Sequence, residues 1–161
     1  SEDYEERLLT LETKLKDRTD RIISAQEEIT RTNTMHSLWM RAGLEATHQA
    51  KIDVYDQILS INPNDTEALT YKADEVLEMG EPHWALNLCN KALLIDEAYP
   101  YAYYQRACAN STLNHIDAAF DDLKNAIELS STYIDEAKND RSLEVLRSTE
   151  RFDELLASIT N

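Results

Sequence analysis

Apolar and small residues recur along most of this chain at a spacing of 34. Ile58, Ala92 and Ala126 stand 34 apart, as do Leu59, Leu93 and Ile127, and Ile61, Ile95 and Leu129. Ala73 and Ala107 keep the spacing, as do Ala85 and Ala119, and Leu69 and Tyr103. A register this broad predicts an array of like units, each burying an apolar face against the next. Within a unit the apolar positions follow a helical period. Leu69, Ala73, Val76 and Leu77 predict one helix, Gly80-Glu81-Pro82 breaks it, and Trp84, Ala85, Leu88, Cys89, Ala92 and Leu93 predict the next. Tyr103, Ala107 and Asn110, a turn near Asn114, and Ile116, Ala119, Phe120, Leu123, Ala126 and Ile127 repeat the scheme. A degenerate first unit precedes them over residues 34–62. Met35, Leu38, Trp39 and Ala42 form its first face, and Ile52, Tyr55, Ile58 and Leu59 its second, with a turn between Gly43 and His48. Asn62-Pro63-Asn64-Asp65 ends that unit, because proline cannot continue a helix and its predecessor avoids the helical region.

Residues 4–31 carry a different period. Tyr4, Leu8, Leu11, Leu15, Arg18, Ile22, Ala25 and Ile29 follow a strict 3-4 spacing, the narrow stripe of a coiled-coil seam. Arg18 and Ala25 weaken the stripe in its second half. Two arrangements satisfy it. The helix self-associates, most simply as a parallel homo-dimer through Tyr4, Leu8, Leu11, Leu15, Ile22 and Ile29, or it folds back on its own repeats. Division into 1–33 (long helix), 34–132 (repeats) and 133–161 (closing helices) follows.

The stretches Ala85-Leu86-Asn87-Leu88-Cys89-Asn90-Lys91-Ala92-Leu93 and Ala118-Ala119-Phe120-Asp121-Asp122-Leu123-Lys124-Asn125-Ala126-Ile127 resemble the second helix of tetratricopeptide repeats. Ala73 and Ala107 match the small first-helix position of that family, and Asn62-Pro63-Asn64-Asp65 resembles its closing loop. Trp39 and Lys51 depart from the pattern in the first unit. Residues 133–156, with Ala137, Asp140, Leu143, Leu146, Phe152, Leu155 and Leu156, are similar to the segment that closes some bacterial arrays of the family. The resemblance implies an all-α, right-handed helix-turn-helix solenoid of about three repeats with a C-terminal cap. It also implies a groove lined by the first helices, with Glu67, Thr70, Asp74 and Leu77 exposed in the second repeat and Tyr101, Tyr104, Cys108 and Ser111 in the third; for Tyr101 and Tyr104, packing between the repeats is an equal alternative.

Composition adds constraints. The chain has only 2 Gly and 3 Pro in 161 residues, too few for the turns of an all-β protein. Its formal charge is −15. Residues 1–31 hold 9 acids and 6 bases, a net of −3, so −12 belongs to the repeats. Such a surface repels nucleic-acid phosphates and anionic lipid, or serves solubility alone. No apolar run reaches the roughly 18 residues of a membrane span, so no direct insertion is expected.

Catalytic chemistry finds no foothold. Gly43 and Gly80 are the only glycines, and no phosphate-cradling loop, GxSxG or HExxH is present. His36, His48, His83 and His115 are scattered; His83 and His115, 32 apart, fall at equivalent turns where solvent is the simplest partner. Cys89 and Cys108 lack metal-ligand spacing, and reduced thiols in a cytoplasmic protein are expected. No cofactor or metal is expected. The chain starts at Ser1, and a fragment or processed form, tethered elsewhere through a missing segment, stays open.

Chaperone-binding members of the family hold a peptide's terminal carboxylate with Lys, Arg and Asn. The groove positions here are acidic, aromatic or neutral, which favours a neutral or basic peptide or helix of a protein partner. Two function classes remain: an interaction module that binds such a segment, and a structural protein whose coiled coil and repeats build a homo-oligomer.

Overall fold

The protein is described by a computed structural model over residues 1–160. The described residues form α1 (Glu2–Leu44), α2 (His48–Ile61), α3 (Thr66–Glu78), α4 (Pro82–Ile95), α5 (Pro100–Thr112), α6 (Ile116–Leu129), α7 (Thr132–Asn139), a 3-10 turn (Arg141–Leu143), α8 (Glu144–Arg147) and α9 (Glu150–Thr160). The chain divides into two compact units, Ser1–Met40 and Arg41–Asn161.

The first unit is a single helical stretch. The expected boundary at residue 33 is not a break, since α1 continues to Leu44. No Gly or Pro lies before Gly43, and the threonines near residue 33 cooperate with the helix. Thr30 Oγ1 donates to the Gln26 carbonyl and Thr34 Oγ1 to the Thr30 carbonyl, at 3.0 and 2.9 Å. Tyr4, Leu8, Leu11, Leu15, Ile22 and Ile29 stay exposed, between 43% and 65%.

In the second unit consecutive helices pack on one another from α2 to α6, and the first helices α3 and α5 also touch. The 34-residue register explains the close approach. Ala73, Ala85, Ala92, Ala107, Ala119 and Ala126 are fully buried, and a methyl group lets neighbouring backbones approach where a larger side chain would not. The turns repeat too. Gly80 (φ 83°) and Asn114 (φ 61°) are both left-handed. Around them the Glu81 and His115 amides donate to the Val76 and Asn110 carbonyls, at 3.0 and 2.8 Å. Polar positions share the register. Lys72 Nζ reaches Asp56 at 2.6 Å, and Arg106, 34 residues on, reaches Asn90 at 3.1 Å. Arg106 also forks onto buried Asp122, at 2.7 and 2.9 Å, and Asn110 donates to the same carboxylate.

One part of the register does not bury. Ile61, Ile95 and Leu129 are 38–46% exposed. Each is the last residue of its helix, where fewer neighbouring side chains are available to cover it.

The C-terminal segment does two things. Phe152 of α9 joins the core cluster that contains Phe120 and Leu123 of α6, and Arg151 ties the two helices by lying 4.4 Å over the Phe120 ring and 2.6 Å from Asp117. The 3-10 turn packs on α5, while α7 touches α6 and reaches α5 through Tyr133. Ala137, Leu143 and Leu146 are buried in one cluster with Tyr104 and Cys108.

Candidate functional site

The face shared by α3 and α5 is where the resemblance placed a groove, and the structure places its eight residues unequally. Glu67 is exposed, and Asp74 and Tyr101 are half-buried. Thr70, Leu77, Tyr104, Cys108 and Ser111 are buried, a correction to the expectation that they line an open surface. Thr70 turns its hydroxyl onto its own helix, donating to the Thr66 and Glu67 carbonyls. Tyr104 and Cys108 are covered by the C-terminal segment. The Tyr104 hydroxyl donates to Asp140 Oδ2 at 2.7 Å, and the Cys108 thiol faces the same oxygen at 3.7 Å. The Ser142 amide donates to Asp140 Oδ1 at 2.9 Å. The chain's own carboxylate thus occupies the third-repeat part of this face.

Tyrosines line the same face in sequence. Tyr55 of α2 stacks on Tyr71 of α3 at 6.0 Å, Tyr71 meets Tyr101 of α5 at 5.3 Å, and Tyr101 stacks on Tyr133 of α7 at 6.2 Å. Tyr133 also stacks on Tyr104 at 4.9 Å. Offset rings at these separations attract beyond their area burial. Tyr55, Tyr71 and Tyr133 fall outside the expected site. Tyr71 lies one helical turn after Glu67, which was a signal in the sequence, whereas nothing local places Tyr133 beside Tyr104.

The electrostatics are one-sided. Among the described residues no Lys or Arg forms an ion pair with Glu67, Asp74, Glu78, Glu136 or Asp140. Burial pushes the Asp74 carboxyl up to about 6, helped by the charges of Glu75, Glu78 and Asp140 and opposed by a hydrogen bond with Gln105. Burial, and then Asp140, raise Glu136 as well. Tyr55 and Tyr133 are raised to about 12, first by burial and then by neighbouring acids. These phenols are neutral donors at any physiological pH.

The thiols are poor nucleophiles. Burial raises Cys89 to about 12, and raises Cys108 well above the ordinary thiol range, with Asp140 and Asp74 adding to the effect. Among the described residues no group of three or more His, Cys, Asp or Glu is placed to hold a metal ion. No described helix is long and apolar enough to cross a membrane.

Helix pairs in a 34-residue register, small residues at the helix contacts and left-handed turns within the α3–α4 and α5–α6 pairs define the tetratricopeptide-repeat fold. Solved structures of that fold resemble the chain. The first TPR of Spaghetti (RPAP3), bound to HSP90 peptide SRMEEVD, is 17% identical with a TM-score of 0.53, covering 84% of this chain and 95% of that one. The MamA protein is 22% identical with a TM-score of 0.59, covering 80% and 69% respectively. The Arabidopsis OM64 TPR domain is 19% identical with a TM-score of 0.59, covering 77% and 98%. No protein-family model and no curated protein sequence matches the chain.

Proposed function

We propose that this chain is a non-catalytic interaction module. It binds a basic or neutral segment of a protein partner on the face of α3 and α5, and it self-associates through the stripe of α1. The observation that carries the first half is the face itself, where acids without a paired Lys or Arg lie beside a run of tyrosines. A carboxylate cluster that lacks internal cations attracts external ones. Aromatic rings give amphipathic area for aliphatic stems and for cations. The RPAP3 domain was solved with an HSP90 peptide, which supports a peptide-sized ligand for this fold. That peptide ends in acids, and here such an end would meet Glu67 and Asp74 as like charge.

A library of random amide-capped and free-acid peptides, panned on the full chain, tests this reading. Enrichment of Lys- or Arg-bearing peptides that tolerate the amide cap is the expected result. Enrichment of acidic free-carboxyl peptides, or of none, overturns it.

The second half rests on a different observation: six apolar side chains at heptad spacing on a helix that leaves them more than two-fifths exposed. Such a stripe seats well on another copy of itself. This favours a structural, homo-oligomeric role as the companion reading, with a homo-dimer as its simplest form.

A further inference from the structure

Past the tyrosines, at the C-terminal ends of α3 and α5, the second unit holds a cleft of about 860 Å³. Leu77 and Glu78 at the end of α3 line it, with Ser111 at the end of α5 and Asp140, Glu144 and Val145 of the C-terminal segment. Its walls are therefore only half repeat; the remainder comes from a segment that no repeat supplies. We propose that this cleft receives a Lys or Arg side chain from a basic segment of the protein partner, an inference that rests on the interaction reading above.

Three observations carry it. The first is charge. Glu78, Asp140 and Glu144 bring three carboxylates to the cleft, and among the described residues no ion pair neutralises any of them. Arg141 is the one guanidinium lining it. Arg147 lies close by and directs its Nη1 at the Ala137 and Asp140 carbonyls. The excess of negative charge reaches inward, since Glu78 and Asp140 both help to raise Asp74.

The second is an orphan. Ser111 is 2% exposed, and its hydroxyl has no hydrogen-bond partner among the described residues. A buried hydroxyl without a partner is costly, and an arriving ammonium or guanidinium is the donor it lacks.

The third is shape. Leu77 is buried at the edge of the cleft while Val145 is 47% exposed. Together they offer an aliphatic wall for the methylene stem of a long cationic side chain. Asp140 is already oriented by Tyr104 and the Ser142 amide, so binding need not order it.

The test uses the full chain and the best amide-capped Lys or Arg peptide from the panned library, followed by calorimetric titration. Glu78→Gln combined with Glu144→Gln should weaken binding roughly tenfold, as two partly exposed charge pairs of modest strength require. Ser111→Ala should weaken it by about threefold while leaving the melting temperature unchanged or raised, because the hydroxyl has no partner to lose. Replacing each Lys of the peptide with Glu should abolish binding. Unchanged affinity in both cleft variants, with loss in Glu67→Gln, would place the peptide on the tyrosine face alone. The cleft proposal then fails and the interaction reading stands. Should the library yield no basic peptide, both fail together.

Discussion

Asp74 is half-buried among acids and beside a buried amide, and its titration should be visible in the stability of the fold. Its folded-state value, about 6, lies above the ordinary 3.8. Well below pH 3.8 the group is protonated in both folded and unfolded chains and contributes nothing. Between pH 4 and 6 the unfolded chain gives up this proton and the folded one keeps it, so stability falls as pH rises, and the full penalty persists above 6. Asp74→Asn should therefore stabilise at pH 7 by on the order of 1–2 kcal/mol, discounted for partial exposure, and most of that gain should be gone at pH 4. Urea midpoints at the two pH values check this; an equal gain at both would mean the charge is not the cause. The alanines give the opposite test. Ala92 and Ala126 are fully buried, and leucine at either should cost roughly 1–3 kcal/mol through overpacking. These alanines were legible in the sequence because their spacing repeats. The burial of Tyr104 and Cys108 was not. Their covers, Asp140 and Tyr133, lie 36 and 29 residues further on, outside the repeat and outside any local period.

At the scale of elements the two termini behave differently. The stripe of α1 was legible as a 3-4 period, yet the same period gave no sign of where the helix would stop, because a boundary needs a breaker and the first is Gly43. If the stripe seats on a second copy, Leu15→Glu with Ile22→Glu should convert the chain to a monomer in light scattering, with no loss of helix by circular dichroism. A parent chain that is itself monomeric at micromolar concentration would sink the dimer. The closing helix α9 has a clearer task. Phe152 is 4% exposed and shares a cluster with Phe120. Phe152→Ala should cost about 3–5 kcal/mol, read as a lowered urea midpoint. That α9 would close the array was legible from its apolar residues. That the 3-10 turn after α7 would pack on α5 was not, since the family likeness specified a lid and left its path open.

On the scale of the whole molecule, the segment from α7 onward both finishes the array and fills part of the face that repeats of this kind present. Its removal should then have two separable effects. Truncation after Ser131 strips the cover from Phe120, which lowers stability, and from Tyr104 and Cys108, which opens the α5 side. The two thiols report on these independently. Both are buried, Cys89 in α4 and Cys108 in α5, but only the Cys108 thiol faces a side chain of the C-terminal segment, Asp140 at 3.7 Å. In the full chain both should react with a thiol reagent only through rare opening. In the truncated chain Cys108 should react at least roughly tenfold faster, since it gains exposure and loses the burial and the Asp140 charge that raise it. Cys89 should stay slow, as proof that the array remains folded. Fast reaction of both would mean that the segment is needed for the repeats to fold at all, and Leu143→Ala in the full chain, which loosens the cover without removing it, then carries the test. A folded truncated chain whose Cys108 reacts no faster than before would show that something other than this segment covers the face.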